Sequence, residues 1–151
     1  MRRPPRKPPP TRRPPPPSAG WDRVAAWYDK LVGDEGSDYH RHVILPAALR
    51  LLDPQPGQRI LDLCCGQGVL TRALLERNVG FVLAVDASRQ LIEAAKTRGP
   101  RDDRVRYVVR DARRLDALAD GTYDAAACVM AVQDTDGLEQ LCGGLARALR
   151  P

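Results

Sequence analysis

A chain of 151 residues has room for one domain and a tail. Its 24 basic and 19 acidic side chains give a net charge of +5, but six of the basic ones (Arg2, Arg3, Arg6, Lys7, Arg12 and Arg13) fall in the first 17 residues with nine of the fourteen prolines. Setting those six charges aside leaves residues 18–151 at about −1, which argues against a basic nucleic-acid-binding face on the folded part.

The Pro/Arg-rich tail, residues 1–20, offers almost nothing apolar to bury, so disorder with polyproline II character is expected there. Arg2-x-x-Pro5-x-x-Pro8 has the spacing of a ligand for aromatic-grooved domains, while solvation and weak adhesion to anionic surfaces is the simpler reading. A secretory signal needs an apolar stretch after its basic start, and an organellar one needs an amphipathic helix that the prolines forbid. No apolar run reaches membrane-spanning length, so a cytoplasmic protein is expected. Cys64, Cys65, Cys128 and Cys142 contain no C-x-x-C pair, which argues against zinc or a disulfide scaffold and for buried thiols in a reducing compartment; no metal site is expected.

In chain order, Trp21, Val24, Ala25 and Tyr28 share one face of a short helix over Trp21–Lys30. Gly33–Ser37 breaks the pattern. A second helix is expected from about Asp38 to Leu52, with Val43, Ile44, Ala47, Ala48, Leu51 and Leu52 as its apolar stripe and a kink at Pro46. His40 and His42, near its start, read as partly exposed, satisfied side chains. Asp53–Gly57 turns the chain into a strand, Arg59–Leu63.

That strand belongs to Ile60-Leu61-Asp62-Leu63-Cys64-Cys65-Gly66-Gln67-Gly68, a buried run that carries an acid and enters a glycine turn. Strand, glycine turn and helix in succession surround a small concave site with backbone N–H groups and a helix N-terminus. A helix follows over Val69–Arg77, then a strand Phe81–Val85 stopping at Asp86, and a helix that Ser88 can cap. Arg104–Val109 leads as a third strand to Asp111. Tyr123–Met130 is a fourth, rich in small residues, and Asp136–Leu149 is a last helix, locally weakened by Gly143 and Gly144, which cost about 1 kcal/mol each relative to alanine. Alternating strands and helices with short connections imply right-handed crossovers, hence an α/β doubly wound, mostly parallel sheet.

The stretch Asp62-x-Cys64-x-Gly66-x-Gly68 resembles the Asp/Glu-x-Gly-x-Gly-x-Gly first motif of class I S-adenosylmethionine-dependent methyltransferases. Its Cys-Cys-Gly form is similar to that of the ubiquinone and menaquinone biosynthesis branch. The resemblance implies a Rossmann-like fold with S-adenosylmethionine as cofactor, bound by Asp62, Cys64, Gly66 and Gly68, by Asp86 with Ala87, and by Asp111 with Ala112. It places Asp62 near the methionine portion, Asp86 at the ribose hydroxyls and Asp111 at the adenine amino group, roles that suit carboxylate acceptors. The leading segment with Trp21, Ala25, Tyr28 and Asp29 resembles one that lies over the cofactor, or it merely packs its aromatics on the core.

A nicotinamide dehydrogenase is the rival reading. Its fingerprint, counted from Gly66, wants glycine or alanine at position 71, where Thr71 stands, and it has no place for Asp62. A second rival is a non-catalytic module that binds the cofactor or a partner. Methyl transfer is an in-line displacement on an already activated sulfonium, so no dedicated base is required and no catalytic residue is assigned. Ala131-Val132-Gln133-Asp134 lacks the Asn/Asp-Pro-Pro-aromatic motif of enzymes that methylate nucleic-acid amino groups, which favours a small-molecule acceptor. Gln133, Asp134 and Tyr28 are the candidates to touch that acceptor. The resemblance covers residues 21–151 and only the cofactor half of the family fold, so a C-terminally incomplete domain is expected. Its fourth strand would then be an open edge able to self-associate.

Overall fold

A computed structural model of the chain describes residues 20–115, 118 and 120–151. The expectations for the Pro/Arg tail therefore lie outside the described residues, Gly20 excepted. Four strands, β1 (Arg59–Leu63), β2 (Phe81–Asp86), β3 (Val105–Val109) and β4 (Ala125–Cys128), form one parallel sheet in the order β3-β2-β1-β4. Leu61 stands opposite Leu83 on one side and Ala126 on the other, and Ala84 of β2 is opposite Tyr107 of β3. The two central strands are covered on both faces, which is why they read as unbroken apolar runs rather than alternating ones.

One face buries Leu61, Leu63, Leu83 and Val85 against Leu115, Tyr123 and Leu141, the last from α5 (Leu138–Ala148). The other buries Ile60, Val82 and Ala84 against Leu70, Leu74 and Leu75 of α3 (Val69–Glu76). Residues Leu45, Ala48, Leu49 and Leu52 of α2 (Leu45–Leu52) close over the same face, where β4 presents only alanines. The helix Arg89–Arg98, α4, starts at Ser88, whose Oγ accepts the Leu91 N–H at 3.2 Å as expected.

Three expectations are corrected. The leading helix is split: Gly20–Arg23 is a 3-10 turn and α1 runs Ala25–Val32, burying Ala25 and Val32 while Trp21 and Val24 stay exposed. Helical geometry does extend from Asp38 to Leu52, but His40–Ile44 is a wide π turn, just ahead of the proline that cannot donate a helical hydrogen bond. That turn rotates the stripe, so Val43 and Leu51 face outward and Leu45 and Leu49 take their place. Gly144, read as a weak point in α5, is a contact point: a Cβ there would come within 3.0 Å of the Leu115 Cβ. Among the described residues β4 is one edge of the sheet, and no helix is long and apolar enough to cross a membrane.

Candidate cofactor-binding site

The site is built at the carboxyl ends of β1 and β2. Past Leu63 the backbone passes through left-handed angles at Cys64 (φ 53°), Gly66 (φ 55°) and Gly68 (φ 80°), and Gly68 is the N-cap of α3. Such a turn aims successive N–H groups inward and leaves room at the two glycines for close approach. Cys64 takes the same kind of angle with a side chain attached, so the position the resembling motif fills with glycine does demand a left-handed backbone.

Asp62 lies inside β1, 2% exposed, and accepts the Thr71 hydroxyl at 2.5 Å. Burial raises its pKa to about 7, against the pull of the Thr71 hydrogen bond and with the charge of Asp86 adding to the rise. Asp86 ends β2 and is nearly as deep. Its two oxygens accept the N–H groups of Gly66, at 2.9 Å, and Ser88, at 2.8 Å, tying the glycine turn to the start of α4. Its pKa too is raised by burial, partly offset by those backbone donors.

Asp111 sits just past β3, and the preceding Arg110 donates its N–H to the Asp86 carbonyl at 2.8 Å, which brings the second and third strand ends together. Its carboxylate is held on both oxygens by the Arg113 guanidinium, at 2.9 and 2.6 Å, which lowers its pKa. Ala112 is buried in the core. Gln133 and Asp134, by contrast, lie on an exposed 3-10 turn, where Gln133 Nε2 donates to the Met130 carbonyl at 2.7 Å; they are not brought to the pocket.

Tyr28 is brought there. It reaches over the glycine turn from α1, so that a Cβ on Gly66 would stand 3.8 Å from its ring, and Trp21 braces it edge-on at 5.4 Å. Burial, then the nearby Asp86, raises its pKa. The pocket beneath is lined by Tyr28, His40, Ile44, Asp62, Gln67 and Val129 among others. His40 is satisfied, as expected, by Ser37 Oγ at 2.8 Å from Nδ1, and burial lowers its pKa; its place in the pocket wall was not foreseen.

The sequence reading missed the contacts that seat α1 over the turn. Ser88 Oγ donates to Asp22 at 2.5 Å, Arg98 pairs with Asp29 and with Asp34 (2.7 Å), and Arg72 donates to the carbonyls of Gln67 (2.7 Å) and Asp34 (2.6 Å). Gln67 Nε2 donates to the Gly33 carbonyl at 2.6 Å, while its Oε1 is buried without a partner. Most of these pairs join distant parts of the chain and carry no local signal. Thr71 had one, as a polar residue on the inward face of α3, nine residues on from a strand acid that needs a donor, just past the glycine turn.

An ionised carboxylate has about four acceptor positions, and the two backbone donors leave Asp86 capacity for a cis-diol. The glycine turn, that capacity and the aromatic cover fit an adenosine-bearing ligand. The methyltransferase domain family model matches residues 60–151. The chain is 31% identical over 137 residues to a 2-phytyl-1,4-naphtoquinone methyltransferase of Trichormus variabilis, covering 87% of this chain and 58% of the relative. With a demethylmenaquinone methyltransferase of Clavibacter sepedonicus the identity is 33% over 140 residues, covering 89% and 54%. Among solved structures, Haemonchus contortus phosphoethanolamine N-methyltransferase 2 in complex with S-adenosyl-L-methionine superposes with a TM-score of 0.70 at 26% identity, over 86% of this chain and 31% of that one. The fold alone is shared with a putative methyltransferase bound to the Haloferax volcanii Trm112 activator, at a TM-score of 0.75 and 24% identity, over 87% and 56%.

The chain belongs to the methyltransferase domain family, in its class I, S-adenosylmethionine-dependent form. It spans about half the length of the curated relatives named here.

Proposed function

We propose that residues 21–151 are the cofactor-binding part of an S-adenosylmethionine-dependent methyltransferase acting on a small molecule of quinone-like or phenolic type. One observation carries the reading: the Asp86 carboxylate is pinned between the start of α4 and the glycine turn that Tyr28 covers. Asp86 would accept the ribose hydroxyls, Asp111 the adenine amino group, and the Cys64–Gly68 turn would receive the rest, with Asp62 behind it. Ala87 and Ala112 keep the neighbouring backbone close. When bound, S-adenosylmethionine supplies a methyl already activated on a sulfonium. The chain's share is to bind, orient and keep water out, which Tyr28 does by covering the turn, and no base is needed for that.

The two quinone methyltransferase relatives support the acceptor class, and the near-neutral balance of residues 18–151 weighs against nucleic acid as a partner. Four free thiols suit the cytoplasm. The edge strand β4, unpaired on one side among the described residues, is where a second copy would associate. Calorimetric titration with S-adenosylmethionine, S-adenosylhomocysteine and NAD tests the reading. Binding of the first two and not the third is expected, and the reverse preference would overturn it. A methyl-transfer assay over quinol, phenol and amine acceptors then tests the acceptor class.

A further inference from the structure

Cys64 and Cys128 were expected to be inert buried thiols, yet the fold sets them side by side. Leu63 at the end of β1 is the register partner of Cys128 at the end of β4. In a regular strand the residue after Leu63 would point to the opposite face of the sheet. The left-handed turn at Cys64 breaks that alternation and returns its side chain to the face of Leu63. Cys64 and Cys128 thus pack against the same cluster, while Cys65 packs on the other face. The two thiols are close enough for each to perturb the other, which raises the pKa of Cys64 and lowers that of Cys128. Both are half-buried, open to a small reagent. Adjacent strands run about 4.8 Å apart and Cys64 lies one residue, about 3.3 Å, beyond the register partner of Cys128, so their Cα atoms stand roughly 6 Å apart, inside the span of roughly 4.4–6.8 Å that a disulfide bridges.

We propose that Cys64 and Cys128 form a reversible disulfide that locks the glycine turn to the end of β4 and weakens binding of an adenosine-bearing ligand. With a small-molecule disulfide such as glutathione disulfide as oxidant, the Cys128 thiolate attacks one sulfur and releases one glutathione thiolate. The Cys64 thiolate then attacks the Cys128 sulfur of the mixed disulfide and releases the second. The protein loses two protons and two electrons; the oxidant gains them as two thiols. Cys64 belongs to the turn whose Gly66 N–H is bonded to Asp86, so drawing it onto β4 moves the backbone that the ligand approaches. This last step rests on the proposed cofactor site; the bridge itself does not.

The test uses the full chain, reduced with dithiothreitol or equilibrated with glutathione disulfide, followed by intact-mass and non-reduced peptide analysis. The expected result is loss of two hydrogen atoms with Cys64 linked to Cys128, retained in Cys142→Ser and Cys65→Ser and abolished in Cys128→Ser. A stable glutathione adduct, a Cys64–Cys65 bridge or Cys142-linked dimers in its place would overturn the proposal, and because the wild type supplies the main readout, a misfolded variant cannot decide it. S-adenosylhomocysteine should bind the oxidised chain about tenfold more weakly than the reduced one, and by linkage should lower the equilibrium constant for bridge formation by about the same factor. Equal affinities would refute the locking. A reduced chain that binds none at all would refute the cofactor reading and leave the bridge to stand on its mass.

Discussion

Replacing Asp62 by asparagine removes a proton-binding group from the deepest acid of the site while keeping its shape. Burial lifts the Asp62 pKa from an ordinary 3.8 to about 7 in the folded chain, net of the Thr71 hydrogen bond and with help from Asp86. Between those two pH values the folded state holds more protons than the unfolded state, so stability falls as pH rises through the window. At about 1.4 kcal/mol per tenfold change in proton affinity, the whole fall amounts to about 4 kcal/mol. Asp62→Asn has no proton to lose. Its stability relative to wild type should therefore be pH-independent below about pH 4, rise steadily towards about pH 7 and level off above it. Urea unfolding of both proteins at a series of pH values measures the difference; carboxylates remote from position 62 cancel, while the charge coupling to Asp86 is part of the effect measured. A difference that stays flat from about pH 4 to about pH 8 would refute the account, because it would mean that Asp62 is charged throughout.

Asp86→Asn should be nearly as damaging as Asp86→Ala, since backbone donors face both oxygens and the new amide group must confront one of them. A loss of about 1.5–3 kcal/mol for the spoiled charge-assisted bond is expected in urea unfolding, and an asparagine variant as stable as wild type would contradict it. Arg98→Ala removes the ties to Asp29 and Asp34, partly exposed pairs that together contribute about 1 kcal/mol or less. Its effect should be local, as faster amide exchange in Ala25–Val32 with little change in global stability; unchanged exchange would assign the seating of α1 to the Asp22, Gln67 and Arg72 contacts.

What could be read from the sequence followed the physics of short range. The strands β1 and β2, the Ser88 cap and the glycine turn are written in contiguous residues, through apolar runs, a cap and left-handed positions. Three of the four strands lie at or within their expected positions and β2 runs one residue further, through Asp86, in the parallel sheet foreseen. The π turn at His40–Ile44 was not legible beyond the hint of Pro46, because a helix can answer a proline by a kink or by a widened turn and only packing chooses. The long-range ion pairs and hydrogen bonds that seat α1, between residues 34 to 69 positions apart, depend on a fold already formed. Asp111 shows the converse: its position was legible, its occupation by Arg113 two residues on was not, although an arginine so near an acid is a local signal that could have been weighed.

Backbone strain at the strand ends gives the last test. Among the described residues four other than glycine have positive φ, and two of them, Asp53 and Asn78, are of types that visit the left-handed region readily. The other two, Cys64 (φ 53°) and Met130 (φ 56°), lie just beyond the adjacent strands β1 and β4, at the rim of the proposed ligand crevice. Strain of this kind persists where the surroundings over-determine it. At Cys64 the surroundings are the Cys65 N–H bonded to the Val85 carbonyl at 3.0 Å and the Gly66 N–H bonded to Asp86, which together leave the chain no other route. Alanine at an ordinary position is more stable than glycine by about 0.5–1 kcal/mol, because it has less unfolded-state freedom to lose. At position 64 the order should invert. The left-handed angle costs a side-chain-bearing residue about 1–2 kcal/mol, so Cys64→Gly should exceed Cys64→Ala in stability by roughly 1 kcal/mol, both lacking the thiol. Chemical denaturation of the two variants decides it. An alanine variant as stable as the glycine variant would mean that the turn can relax away from φ 53°, and with it would go the argument that this position holds a preformed backbone cradle.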